Sequence, residues 1–131
     1  MERLAYIKGR LKETQDHFQY MKVRYNLDFC LLLLETKDRS FLEDFVKQIR
    51  KSDRIIDIEE GMVAFFFHLL SLEDYERVID KLVEALMQRN VQDFHIGISC
   101  SDKECEGGIV VRAYQNLKKA MDERKEVVDE F

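Results

Sequence analysis

The chain has 131 residues, 46% of them hydrophobic, which suits one domain around a single buried core. Charged residues make up 36%, both signs interleave, and a net charge of −5 argues against general nucleic-acid binding through a basic face. The longest apolar runs, Phe29 to Leu34 and Met62 to Leu70, are strand-length and well short of the roughly 20 residues of a membrane-spanning helix, so no membrane partner is expected. The first residues, Met1-Glu2-Arg3-Leu4, pass into a charged amphipathic pattern without an apolar signal core, and a cytoplasmic protein is the expectation.

The first predicted element is a helix. Leu4, Ile7, Leu11, Phe18, Met21 and Tyr25 recur in alternating steps of three and four, with Thr14 in the one polar slot, which is a heptad seam. Two roles fit it: docking onto the chain's own sheet, or an assembly contact, a homodimer or another protein, through Leu4, Ile7, Leu11, Phe18 and Met21. Residues 1–26 are therefore read as an N-terminal helix and candidate dimerisation element, and 27–131 as the domain proper. "DFCLLLLE", residues 28–35, is too short and too uniformly apolar for an amphipathic helix and reads as a central strand covered on both faces.

Ser40-Phe41-Leu42-Glu43 has the form of a capping box, predicting a helix from there to about Lys51 with Phe41, Leu42, Phe45, Val46 and Ile49 inward. Ile55, Ile56 and Ile58 predict one strand and Val63 to Leu70 another, joined in a hairpin at the acidic corner before Gly61. Ser71 opens a further helix whose apolar face carries Leu72, Tyr75, Val78, Ile79, Leu82, Val83 and Leu86. "DFHIGISC" reads as a strand, and Gly107-Gly108 breaks the chain before a last helix with Ile109, Val110, Ala113, Leu117, Ala120 and Met121. "EVVDEF" reads as a small edge strand.

The order β-α-β-β-α-β after a leading helix predicts an α+β sandwich: a ferredoxin-like, palm-type core whose antiparallel-rich sheet carries its helices mainly on one face. Cys30, Cys100 and Cys105 are an odd number in a chain without an export signal, so free thiols are expected. Cys100, Cys105 and His95 lack the fourth ligand of a closed zinc site, and neither a metal nor a cofactor is expected. His17 reads as solvated, His68 as a strand histidine, Phe65 to Phe67 as core aromatics, and no histidine has the partners of a catalytic triad.

Particular residues resemble those of GGDEF-type diguanylate cyclases over residues 27–131. "LLLLETK", Leu31 to Lys37, stands where that family's first strand ends in an acidic metal-binding motif. Arg50-Lys51-Ser52-Asp53 stands where an Arg-x-x-Asp signature precedes the hairpin tip, and "EEGMV", Glu59 to Val63, stands at the tip itself. "HIGISC", His95 to Cys100, is similar to the family's "SIGIA" strand, and "RAYQNLKKAM", Arg112 to Met121, to its last helix.

The resemblance implies a palm-like fold, and the departures imply lost chemistry. Such a cyclase joins two GTP molecules with divalent metal held by oxygen ligands. Here the first metal aspartate is Glu35 and the second acidic position is Lys37, whose ammonium repels a cation. The two glycines of the tip are Glu59 and Glu60, and its two acids are Gly61 and Met62. Only eighteen positions separate Glu35 from Asp53, so the family's guanine-reading segment has no counterpart, and the lysine expected at the end of the last helix is Met121. The expectation is a catalytically inactive GGDEF-like domain acting as a protein-interaction, dimerisation or regulatory module, not an enzyme. The alternative is a cyclic di-GMP receptor in which Arg50 grips phosphate or guanine and Asp53 accepts from guanine. Without a ligand, Arg50 is simply a helix-end cation and Asp53 a turn residue.

Overall fold

The computed structural model describes residues 2–59, 61–102 and 107–129, with Glu2 and Glu59 described by their backbone alone. The elements are α1 (Glu2–Tyr25), β1 (Phe29–Glu35), α2 (Leu42–Val46), β2 (Arg54–Glu59), β3 (Met62–His68), α3 (Leu72–Gln88), β4 (His95–Cys100), α4 (Ile109–Asp122) and β5 (Val127–Val128). The strands form one mixed sheet in the order β2-β3-β1-β4-β5, antiparallel except that β5 pairs parallel to β4. The α+β core expected from the sequence is present, with α1 added before it and α4 and β5 after it.

β1 is central because it has no polar face to show to water. Cys30, Leu32 and Leu34 join Phe65, Phe67, Ile96 and Ile98 beneath Phe45 of α2 and Tyr75, Leu82 and Leu86 of α3. Phe29, Leu31 and Leu33 join Ala64 and Phe66 on the other face, beneath α1 and α4. Helices thus cover both faces, which corrects the one-sided arrangement expected from the ferredoxin-like order. A strand and its neighbour that are apolar on both sides need two covers.

The seam of α1 supplies half of the second cover. Ile7, Leu11 and Phe18 are fully buried against the sheet, each worth about 1.5–3 kcal/mol of burial. They are spent inside the chain, so the homodimer contact expected through them is not available. Of the five residues named for that contact, Leu4 and Met21 keep partial exposure, and Tyr25 at the end of the seam is exposed. α4 supplies the other half by close approach to β4. A Cβ added at Gly97 would stand 2.1 Å from the Leu117 backbone nitrogen, so the helix backbone rests directly on the strand there.

Further expectations are corrected at α2 and at the cysteines. The box at Ser40 does not form, because Asp38 Oδ1 takes the Ser40 amide at 2.9 Å and α2 starts only at Leu42, without a side-chain cap. The helix ends at Val46, which is exposed, five residues short of the expected end at Lys51. Cys30 and Cys100, expected as thiols, are joined by a disulfide. They face each other in the β1–β4 register, with Cα atoms 4.0 Å apart. Cys105 lies outside the described residues.

Candidate functional site

Two concave regions hold the residues singled out in the sequence. The first is a cleft of about 500 Å³ where β1 ends, lined by Glu35, Thr36, Lys37, Gly61, Asp93, His95 and Met121. The β2–β3 hairpin reaches it because the Thr36 amide donates to the Gly61 carbonyl at 2.9 Å. Gly61 has φ of +85°, a turn geometry that disfavours a side chain. Thr36 is fixed further by its hydroxyl, which donates to the Asp93 carbonyl at 3.1 Å. Met62, the residue after Gly61, is fully buried in the core. Glu60 and the side chain of Glu59 lie outside the described residues.

Glu35 does not face the cleft with an unbalanced charge. Arg3 of α1 grips it with both terminal nitrogens, Nη2 to Oε1 at 2.7 Å and Nη1 to Oε2 at 3.4 Å. The same helix reaches the edge strand. Tyr6 donates to the Ile58 carbonyl at 3.2 Å and Arg10 to the Asp57 carbonyl at 2.6 Å, where the β2–β3 ladder is irregular and leaves acceptors outward. Lys37 is exposed at the cleft. Among the described residues, no three histidine, cysteine or carboxylate groups stand close enough to share a metal ion.

The second region is a pocket of about 150 Å³ between α2, the turn before β2, and α3. Its charged lining is Arg50, Asp53, Asp74, Arg77 and Lys81, over a floor that includes Phe45 and Phe65. Arg50 and Asp53, paired in the sequence reading, do meet. The Asp53 side chain is 3% exposed, and its Oδ2 accepts from the Arg50 amide at 2.9 Å, which is the turn role. Its Oδ1 is buried with no hydrogen-bond partner among the described residues; the Arg50 Nε lies 3.6 Å away. A buried carboxylate oxygen left in that state is costly and invites a donor.

The Arg50 guanidinium is held from the other side by Asp74, Nη1 to Oδ2 at 3.1 Å, and Nη2 donates to the His68 carbonyl at 3.4 Å. Asp74 is placed by its helix start. Ser71 caps α3 by accepting the Asp74 amide at 3.0 Å, and a carboxylate in that first turn meets the positive end of the helix dipole. His68 itself points to the opposite face, with its ring 4.9 Å from that of Phe18 and its Nδ1 buried with no hydrogen-bond partner among the described residues. Burial pushes its pKa down, against a smaller upward pull from Asp53.

The sequence reading missed Arg3, Tyr6, Arg10 and Asp74. The first three are charged or polar positions on the outer flanks of a heptad pattern, and Asp74 lies in the first turn of a helix whose start was read from Ser71. Their partners lie 24 to 52 positions away, beyond any local period.

No protein-family model and no curated protein matches the sequence. Solved structures do match in shape. The GGDEF domain of TpbB, also called YfiN, from Pseudomonas aeruginosa superposes with a TM-score of 0.65 at 14% identity, over 94% of this chain and 86% of that one. A diguanylate cyclase protein from Thermotoga maritima gives 0.64 at 12% identity, over 84% and 89%. The GGDEF domain of DgcB from Caulobacter crescentus, solved in complex with c-di-GMP, gives 0.65 at 10% identity, over 90% and 88%. The chain therefore has the GGDEF-domain fold. No described helix is long and apolar enough to cross a membrane.

Proposed function

We propose that this chain is a regulatory domain of GGDEF fold that does not cyclise GTP. The observation that carries the reading is the clasp of Arg3 on Glu35: a guanidinium of the chain itself occupies the flank of the carboxylate that would hold the first metal. Lys37 adds a second positive charge at the same cleft, and Met62 turns the hairpin acid into core. Metal-assisted phosphoryl chemistry requires the opposite balance, oxygen ligands that attract a cation. Incubation with GTP and magnesium or manganese is expected to yield no cyclic di-GMP above a protein-free control. Product that disappears in Glu35→Ala would overturn the reading.

A second reading, compatible with the first, is a receptor for cyclic di-GMP at Arg50 and Asp53. It is supported by the unsatisfied Oδ1 of Asp53 in a pocket rimmed by Arg50, Arg77 and Lys81. In this role Asp53 accepts a ring N–H of guanine and the guanidinium takes phosphate. The structural neighbour from Caulobacter crescentus was solved with that dinucleotide, and another microbial GGDEF domain of the same shape has an interaction with it. The internal docking of the α1 seam also shifts weight from self-assembly to ligand binding. Calorimetry with cyclic di-GMP tests it, and no heat at roughly 100 μM protein contradicts it.

A further inference from the structure

We propose that Asp74 is an internal stand-in for the ligand's phosphate on Arg50, a latch that has to be released before the pocket takes an anion. The inference rests on the receptor reading given above. Every nitrogen of the Arg50 guanidinium already has a partner: Nη1 has Asp74, Nη2 has the His68 carbonyl, and Nε faces Asp53. One cation is thus shared by two carboxylates from different elements. Asp53 precedes β2 and cannot be exchanged cheaply, because it is nearly fully buried and also holds the Arg50 amide. Asp74 is the exchangeable partner: it is 22% exposed, stands on α3, and gives Arg50 a carboxylate oxygen where a phosphate oxygen would otherwise lie.

Charge balance gives the latch its direction. The lining holds Arg50, Arg77 and Lys81 against Asp53 and Asp74, and Arg77 is also drawn outward to Glu73 at 3.6 Å. Removing the charge of Asp74 raises the pocket by one positive unit and leaves Arg50 with an open edge. The matching ligand class is an anionic nucleotide whose ring carries an N–H donor, phosphate toward Arg50 and donor toward the Oδ1 of Asp53. The backbone amide of Asp74 remains capped by Ser71 whatever its side chain does, so the helix start does not depend on the latch.

Calorimetry with cyclic di-GMP on the wild-type chain, Asp74→Asn, and Asp74→Asn combined with Arg50→Ala tests the proposal. Asp74→Asn is expected to bind about tenfold more tightly than wild type, the scale of removing one partly solvated like charge, and the gain should vanish when Arg50 is also removed. Equal or weaker binding by Asp74→Asn overturns the latch while leaving the receptor reading in place. A gain that survives the loss of Arg50 overturns it as well. No heat from any variant overturns the receptor reading and the latch together. Should Asp74→Asn fail to fold, the wild-type protein decides by carboxyl carbon-13 NMR: the Asp74 resonance is expected to move on titration with cyclic di-GMP, and a bound state in which it does not move contradicts the latch.

Discussion

The cleft at the end of β1 and the pocket beside α3 both contain an arginine facing a carboxylate, yet the two pairs are built differently. At the cleft, Arg3 and Glu35 come from elements far apart in sequence, stay partly exposed, and satisfy each other in a two-pronged contact. At the pocket, Arg50 is divided between Asp53 and Asp74, and one buried oxygen of Asp53 has no hydrogen bond among the described residues. A satisfied pair closes a site from within. An unsatisfied one keeps a place for a donor that the chain does not itself supply. The proposal that one region is retired chemistry and the other a binding site follows from that difference.

The largest effect is expected from the seam that brings Arg3 to the cleft. Ile7→Glu with Leu11→Glu places two charges in a filled core and should cost roughly 5 kcal/mol or more, enough to unfold much of the protein. Circular dichroism and urea titration should show lost structure. A folded chain with an unchanged urea midpoint would contradict the internal docking of α1.

Arg50→Ala comes next, and it bears on the pocket alone. Cyclic di-GMP affinity should fall by about 1.5–3 kcal/mol with the charge-assisted bonds removed. Arg50→Lys keeps the charge but loses the planar fork, so weakening of similar size marks a two-pronged contact, whereas retained affinity marks attraction alone.

His68 links α1 to the pocket, since its ring meets Phe18 of α1 while its carbonyl accepts from Arg50. Its ring is pushed toward the neutral form, chiefly by burial, with the charge of Arg50 and the nearby His17 acting the same way; Asp53 and a hydrogen bond to the Asp28 backbone oppose it. The stability that depends on a neutral ring is present above the unfolded histidine value of about 6.5 and is lost as pH falls through the lower folded-state value. Urea midpoints between pH 7.5 and 5 should therefore decline more steeply in wild type than in His68→Phe, and parallel profiles would exclude the ring as the cause.

The smallest effect belongs to the cleft. Arg3→Ala should cost only about 0.5–1 kcal/mol, lessened by salt, because the Arg3–Glu35 pair is partly solvated. Its affinity for cyclic di-GMP should match that of wild type if the two regions are independent, and a tenfold change would join them.

Much of the fold was legible because burial writes itself into local periods. The uninterrupted run Phe29 to Leu34 announced a central strand, and Ser71 announced the start of α3 correctly. The same reasoning failed at Ser40, where the neighbouring Asp38 competes for the amide that a capping box uses. It failed at the cysteines because counting them says nothing of strand register, which sets Cys30 opposite Cys100. Arg50 and Asp53 were legible as a pair only through the resemblance to the Arg-x-x-Asp signature. Arg3 on Glu35 and Asp74 on Arg50 were not, since each contact is made only when distant elements pack.

Amide NMR of the wild-type chain titrated with cyclic di-GMP puts the contrast between the two regions to the most direct test. Shifts are expected at 50–54 and along the 74–81 flank of α3, with Glu35, Thr36, Lys37, Gly61 and His95 unmoved. Shifts gathered around the end of β1 and the hairpin tip, with the Arg50 pocket silent, would contradict the account.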